Sequence, residues 1–320
     1  MITLPSLDTL ILMAATPAAI MGGAALLEAL LPRPDWLRLS AAEPLLSRLG
    51  HKVHRPDGTP SAQWQAGILA LLVVWLPCAA GLWAVRNLAL SEPLFDLLFL
   101  LLMIESRPLR TLATAGGALL KSDTLPLARL QAAPWLKRET GKLSAMGLAK
   151  ALCETCTLRL LGGWAGPLLG FALAGVQGAL LWRLAQLTQY AWSCKQPAFV
   201  QFGRPAAALY QGLAAPAALL LALPNLFPKV KEGMSALRTG VSRWPHPAAG
   251  ALLATLAHQC ILRLGGPRYY QGTLVRLPVL GDGGDPSWES PRRLLTRLLC
   301  IGWGWLALAL LLTLAGGLHG

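Results

Sequence analysis

The sequence predicts an all-α, polytopic membrane protein of about five to six transmembrane helices, with amphipathic helices in its loops. Three observations carry this. Of the 320 residues 54% are hydrophobic and 13% charged, mean hydropathy is +0.51, and long apolar runs recur along the chain. A soluble domain has about 25% charged residues, whereas a helix crossing about 30 Å of hydrocarbon needs about 20 apolar ones.

Four runs meet that length plainly: 67–85, 160–182, 206–223 and 298–318. Two more are expected at 10–27 and 94–104, the latter short and containing Asp96. The run at 10–27 has no basic residue before it, the earliest being Arg33, and no small-x-small cleavage site after it, so it reads as an uncleaved span. One integral membrane domain over 1–320 is the simplest division, with large basic loops at 32–66, 105–157 and 226–297.

The net charge of +13 is distributed by loop. Arg33, Arg38, Arg48, Lys52 and Arg55 fill the first basic loop; the second carries eight Lys and Arg between Arg107 and Lys150, and the third carries ten. Alternation of this kind places basic loops in the cytoplasm of a bacterial inner membrane, where they also meet anionic lipid. Nucleic-acid binding is not expected, because no basic stretch is interleaved with aromatic residues. Straight counting puts 183–204 opposite the loops that hold Arg138 and Arg268. Either the fourth segment, rich in Gly162, Gly163, Gly166, Pro167 and Gly170, is broken or re-entrant, or those positions serve different purposes.

Within the loops, Arg55-Pro56-Asp57-Gly58 marks a turn, and His51 and His54 read as solvated residues for want of a third ligand. The second loop has the leucine periodicity of amphipathic helices. In the third, 229–243 reads as a basic helix, 248–262 as an apolar helix too short to span, and 264–291 as an irregular loop with defined turns. Cys153 and Cys156 form a CxxC, but a structural zinc site needs a second pair, which is missing. Phosphate loops, HExxH and GxSxG are absent. Asp282 and Asp285, in a glycine-rich turn, are candidate magnesium ligands beside a nucleotide phosphate.

The third loop carries Pro245-His246-Pro247-Ala248-Ala249-Gly250, then Leu264-Gly265-Gly266-Pro267-Arg268-Tyr269-Tyr270, then Pro278-Val279-Leu280-Gly281. Upstream stand Ala128-Arg129, Arg138-Glu139-Thr140, Pro167-Leu168, Phe171-Ala172-Leu173 and Phe202-Gly203. In this order the chain resembles the CobD/CbiB family, the adenosylcobinamide-phosphate synthases of cobalamin biosynthesis, over roughly 118–286, and more distantly AmpE-like membrane proteins. The resemblance implies a ligase that joins aminopropanol, or its phosphate, to adenosylcobyric acid through an amide, using ATP and Mg2+. By its motifs Glu139 and Glu154 are expected to be catalytic, and Arg129, Arg138, Lys195, Arg268, Tyr269, Tyr270, Gln186 and Gln189 to bind substrate or phosphate. Several family acids are replaced: Gln186 and Gln189 stand for Asn and Asp, Tyr210 and Gln211 for paired Asp, and Ala248 and Leu253 for Asn and Glu. The alternative is a non-catalytic membrane scaffold or regulatory protein that kept the fold. A solute transporter, encouraged only by Asp96, would need two related halves with paired broken spans, and none is visible.

Overall fold

The computed structural model describes residues 15–122, 124–136, 138–270 and 273–317; the side chains of Asp35, Tyr270 and Thr273 lie outside that description. The described chain is helical apart from one two-stranded ribbon, in agreement with the all-α expectation. Its contacts divide it into two compact units that interleave in sequence. The first comprises Met1–Glu105, Gly163–Tyr210 and Trp303–Gly320; the second comprises Ser106–Gly162 and Gln211–Gly302.

Unit 1 contains helices α1 (Pro17–Leu30), α2 (Glu43–Val53), α3 (Pro60–Asn87) and α4 (Glu92–Met103). Proline near each start presets φ where no intrahelical N–H bond is lost. Thr16 and Thr59 supply the side-chain caps of α1 and α3, accepting from Ala19 and Ala62. The Arg55–Gly58 turn is present, closed by Gly58 N–H on the Arg55 carbonyl at 3.2 Å. The core gathers Trp192, Phe199 and Phe202 with Leu46, Ala70 and Leu187, and the Trp192 indole donates to the Leu46 carbonyl at 2.8 Å. His51 is exposed, as a solvated residue should be, and His54 is half-buried. Their rings pack on Phe199 at 4.7 and 5.7 Å, because an imidazole offers an aromatic face as well as polar nitrogens.

The glycine-rich fourth segment is broken and doubles back on itself. After a π-helical turn at Leu161–Ala165 comes α8 (Gly166–Ala191), which breaks at Ala174 and Gly175, where Gly175 has φ +57° and ψ −149°. The chain then runs back on itself. A Cβ at Gly170 would lie 2.5 Å from the Gly178 carbonyl oxygen, and one at Gly166 would lie 1.8 Å from the Trp182 indole nitrogen. In a straight helix positions eight apart are about 12 Å distant along the axis, so these contacts require a hairpin. Within the span expected at 160–182 the chain thus forms two limbs, 166–173 and 176–191, with Gly175 at the tip.

Unit 2 contains α5 (Arg107–Lys121), α6 (Leu125–Ala132), α7 (Ala145–Leu160), α10 (Val230–Arg243), α11 (Pro247–Gln259) and the ribbon β1 (Leu264–Tyr270) with β2 (Thr273–Leu280). Between them α9 (Arg204–Ala222) begins in unit 1 and ends in unit 2, and α12 (Ser290–Gly317) does the reverse. Helices α10 and α11 form a tight antiparallel pair with Gly240 against Gly250. The core collects Trp244, Leu253, Ala257, Leu264, Leu280 and Leu294.

The stretch from Leu264, expected to be irregular, is instead an antiparallel ribbon with a bulge between Gly265 and Pro267. Gly265 and Gly266 at φ +84° and +89° absorb the bulge. Beyond it Tyr269, Leu274, Val275 and Val279 supply ordinary strand formers, which the surrounding glycines and prolines disguise.

Among the described residues four helical segments have the length and composition to enter a membrane: Pro60–Asn87, Ala145–Ala191, Arg204–Leu226 and Ser290–Gly316. The chain is a membrane protein. The expected spans at 10–27 and 94–104 correspond to shorter elements. Helix α1 has 14 described residues, residues 10–14 lying outside the description, and α4 has 12. Asp96 on α4 is held by Arg86, with oxygens at 2.8 and 3.1 Å, which accounts for an acid in an apolar run without a transported solute.

Candidate functional site

The expected site residues fall into two sets, one in each unit. In unit 2 the carboxylate of Glu154, on α7, is 2% exposed. Ser144 caps α7 on the Gly147 N–H and so sets its start. Glu154 Oε2 accepts from Arg138 at 2.7 Å and pairs with Arg268 at 3.0 Å. Its Oε1 accepts from Arg268 at 3.1 Å and from the Gly265 backbone N–H at 2.8 Å. The positive φ of Gly265 turns that N–H toward α7, so the Leu-Gly-Gly-Pro run acts by presenting backbone. The Arg268 guanidinium also stacks over Trp244 at 5.6 Å.

Both oxygens of the Glu154 carboxylate are thus engaged by a guanidinium or an N–H. Arg138 and Arg268 are buried and committed to Glu154. Arg129 donates through Nε to the Leu143 carbonyl at 2.9 Å and ties down the segment that carries Arg138.

Above the clasp lies an accessible group. Glu139 donates its backbone N–H to the Tyr269 carbonyl at 3.2 Å, its partly exposed carboxylate is 4.0 Å from Lys142, and Lys142 stands 5.5 Å over the Tyr269 ring. Tyr270 joins the ribbon opposite Thr273, its side chain outside the description. Cys153 and Cys156 are buried and free beneath.

Asp285 is held between Lys150 at 3.5 Å and Arg263 at 3.6 Å. Among the described residues no three acids, histidines or cysteines converge as metal ligands.

In unit 1 Gln186 is buried and accepts from Arg183, while the buried Oε1 of Gln189 has no partner. Lys195 is exposed at the end of the same segment. The group that sequence reasoning missed is Glu105, which pairs with Arg183 at 2.7 Å and accepts from the Ser40 N–H at 3.3 Å. Its own N–H donates to the Gly163 carbonyl at 2.7 Å, so the return limb of α8 is pinned at the glycine turn. Burial pushes the Glu105 carboxyl up, but the Arg183 guanidinium and Ser40 outweigh this and hold it below the usual carboxylate range. Nearby, Arg33 pairs with the buried Glu28 at 3.6 Å and donates to the carbonyls of Leu101 and Ile104 at the end of α4. Glu28 was legible as a lone acid in an apolar stretch, the usual mark of a paired charge.

Comparison with known proteins agrees with these landmarks. The family model described as CobD/Cbib protein matches residues 21–298. A protein of Stutzerimonas stutzeri named cobalamin biosynthesis protein CobD is 29% identical over 92% of this chain and 96% of its own length. One of the same name from Chromobacterium violaceum is 30% identical over 79% of this chain and 82% of its own. A third, from Mycobacterium tuberculosis, is 30% identical over 60% and 64%. No solved structure matches. With a model match across most of its length and the Arg138, Glu154 and Leu264–Tyr270 landmarks in one site, the chain belongs to the CobD/CbiB family.

Proposed function

We propose that this protein is an inner-membrane enzyme of cobalamin biosynthesis that joins aminopropanol, or its phosphate, to a carboxylate of adenosylcobyric acid as an amide. The observation that carries the reading is the clasp of Arg138, Glu154 and Arg268. It joins three separate family landmarks into one rigid support beneath Glu139, Lys142 and Tyr269. The names of the relatives support the pathway.

An amide forms when ATP activates the carboxylate, the amine attacks the activated carbonyl, and the leaving phosphate departs as the amine loses a proton. Of the residues at this site Glu139 is the accessible acid and the one assigned to receive that proton. Lys142 is the accessible cation for the corrinoid carboxylate. Mg2+ enters as the partner of ATP, and no step is derived through it, because Asp285 is already neutralised by two cations.

Two experiments test the reading. Purified protein given adenosylcobyric acid, ATP, Mg2+ and aminopropanol or its phosphate should yield the amide, detected by mass spectrometry. The intact gene should also restore growth to a strain lacking its cobinamide synthase. No product and no rescue from a protein that inserts normally would overturn it.

One observation favours a second reading, a non-catalytic scaffold: the matched charges satisfy one another, as structural ion pairs do. That reading requires Glu139→Gln to rescue growth as well as the parent does.

A further inference from the structure

In unit 2, α10 begins four residues after Leu226, where the membrane-entering segment Arg204–Leu226 ends. Asn225 accepts from Arg297 Nε at 2.6 Å, so this end meets the basic opening turns of the other such segment, Ser290–Gly316. Two apolar segments that terminate side by side mark one membrane boundary. Helix α10 starts against it, since a Cβ at Gly233 would lie 2.8 Å from the Leu226 Cα. Gly233 and Gly240, seven residues apart, form the buried line of α10, with Gly240 against Gly250 of α11. A second line, of Val230, Met234, Leu237 and Val241, is spaced four, three and four residues apart and so shares one face. That face is left open: Val230 and Val241 are 43% and 39% exposed, and Phe227, just before the helix, is 64% exposed. Lys231 and Arg238, both exposed and also seven apart, flank the apolar line about 80° round the helix. Glu232, the one acid in α10, stands on the side opposite that line. Among the described residues neither cation has an acidic partner, in contrast to Arg138 and Arg268. Ser235 and Ser242 line an open groove of about 670 Å³ beside them.

We propose that α10 is an interfacial helix that docks on the anionic phospholipids of the leaflet at this boundary. Val230, Met234 and Val241 enter the zone between headgroups and acyl chains, with Phe227 as the anchor at the end nearer the membrane segment. Lys231 and Arg238 meet lipid phosphates, and the hydroxyls of Ser235 and Ser242 donate to headgroup oxygens. A helix that is solvated on this side has no use for exposed apolar residues in helical register. An apolar partner would leave two cations unanswered. An anionic lipid surface answers both, the apolar line by burial and the cations by charge. An acidic protein segment would answer the charge as well, but α10 already starts at the membrane boundary, where lipid is always at hand. The assignment is independent of the amide-forming reading.

The test is photocrosslinking of the full-length protein in phosphatidylcholine nanodiscs that carry a trace of a lipid with a diazirine near the glycerol end of one acyl chain. The probe lipid is either phosphatidylglycerol or phosphatidylcholine, and peptide mapping locates the adducts. Helix α3, mostly exposed along its apolar length, is the internal reference. Relative to α3, residues 227–241 should be labelled by both probes, and by the phosphatidylglycerol probe at least about fivefold more, the effect of one cation at the surface. High salt should reduce that preference. Lys231→Gln with Arg238→Gln should bring the two probes to parity on α10, and Lys231→Arg should keep the preference. Absence of adducts on 227–241 while α3 is labelled would overturn the proposal and give this face to water or to a protein partner. Equal labelling by both probes in the parent would overturn it too, as would a preference that survives the double substitution in a protein whose circular dichroism is unchanged. Neither ATP nor corrinoid is present, so the outcome is read apart from amide formation.

Discussion

The Glu154 carboxylate lies between two guanidiniums, 2.7 Å from Arg138 and 3.0 Å from Arg268, with only 2% of the residue exposed. Removing the acid leaves two buried cations facing each other. Breaking a buried pair in this way costs about 3–5 kcal/mol. Glu154→Ala is therefore expected to lower the thermal midpoint in detergent sharply, and Glu154→Gln, which keeps the shape and loses the charge, to fall between. A Glu154→Ala protein as stable as the parent would refute the clasp.

Gly175 has backbone angles that only glycine adopts without strain, and the Gly170 and Gly178 backbones touch. A side chain at Gly175 stores about 1–3 kcal/mol. A Cβ at Gly178 would sit 2.0 Å from the Gly170 oxygen and force the limbs apart. Gly178→Val should thus reduce the folded yield more than Gly175→Ala, as read by fluorescence-detected size exclusion. Equal yields for parent and both variants would mean that the segment does not double back.

The lowered carboxyl of Glu105 makes a signed prediction about pH. A folded value below the unfolded one contributes stability above the ordinary carboxylate range, and that contribution disappears as pH falls through the lowered value. Melting temperature should hold level from neutral to mildly acidic pH and then drop. Glu105→Gln should be less stable at neutral pH and show a shallower acid drop. An unchanged acid limb in the variant would exclude Glu105 as its source.

Cysteine reactivity separates buried from exposed thiols. Cys78 on α3 and Cys300 on α12 are exposed on apolar helices, whereas Cys153 and Cys156 are buried. Burial also pushes the Cys194 thiol up, so little thiolate forms there at neutral pH. Peptide mapping after treatment with a lipid-permeant maleimide should find Cys78 and Cys300 modified, Cys194 modified slowly and faster at higher pH, and the CxxC pair unmodified. Modification of Cys153 in the folded protein would contradict the packing under the clasp.

Much of this was legible in the sequence because hydropathy and helical period are local properties. The helices α3, α9, α10, α11 and α12 lie close to where the apolar runs and periodicity place them. The ribbon was not legible, since Gly265, Gly266 and Pro267 read as loop residues and only the bulge makes them strand. Of the site, the motifs led to Arg138, Glu139 and Glu154, and the partners came only from structure. That Gly265 would donate its N–H to Glu154, 111 positions away, follows from no spacing rule. Glu105 was hidden for the same reason, its partner Arg183 being reached only through the reversal at Gly175.

The reversal at Gly175 lays the two limbs of α8 side by side. The limbs 166–173 and 176–191 rise about 12 Å and about 24 Å along their axes. Backbone meets backbone along Gly170 and Gly178, so neither an acyl tail nor a water molecule can wedge between the limbs. Both ends of the hairpin therefore lie on the same side of its tip, Gly166 against Trp182. A hydropathy profile reads the segment as one continuous apolar run, whereas its backbone reverses direction at Gly175.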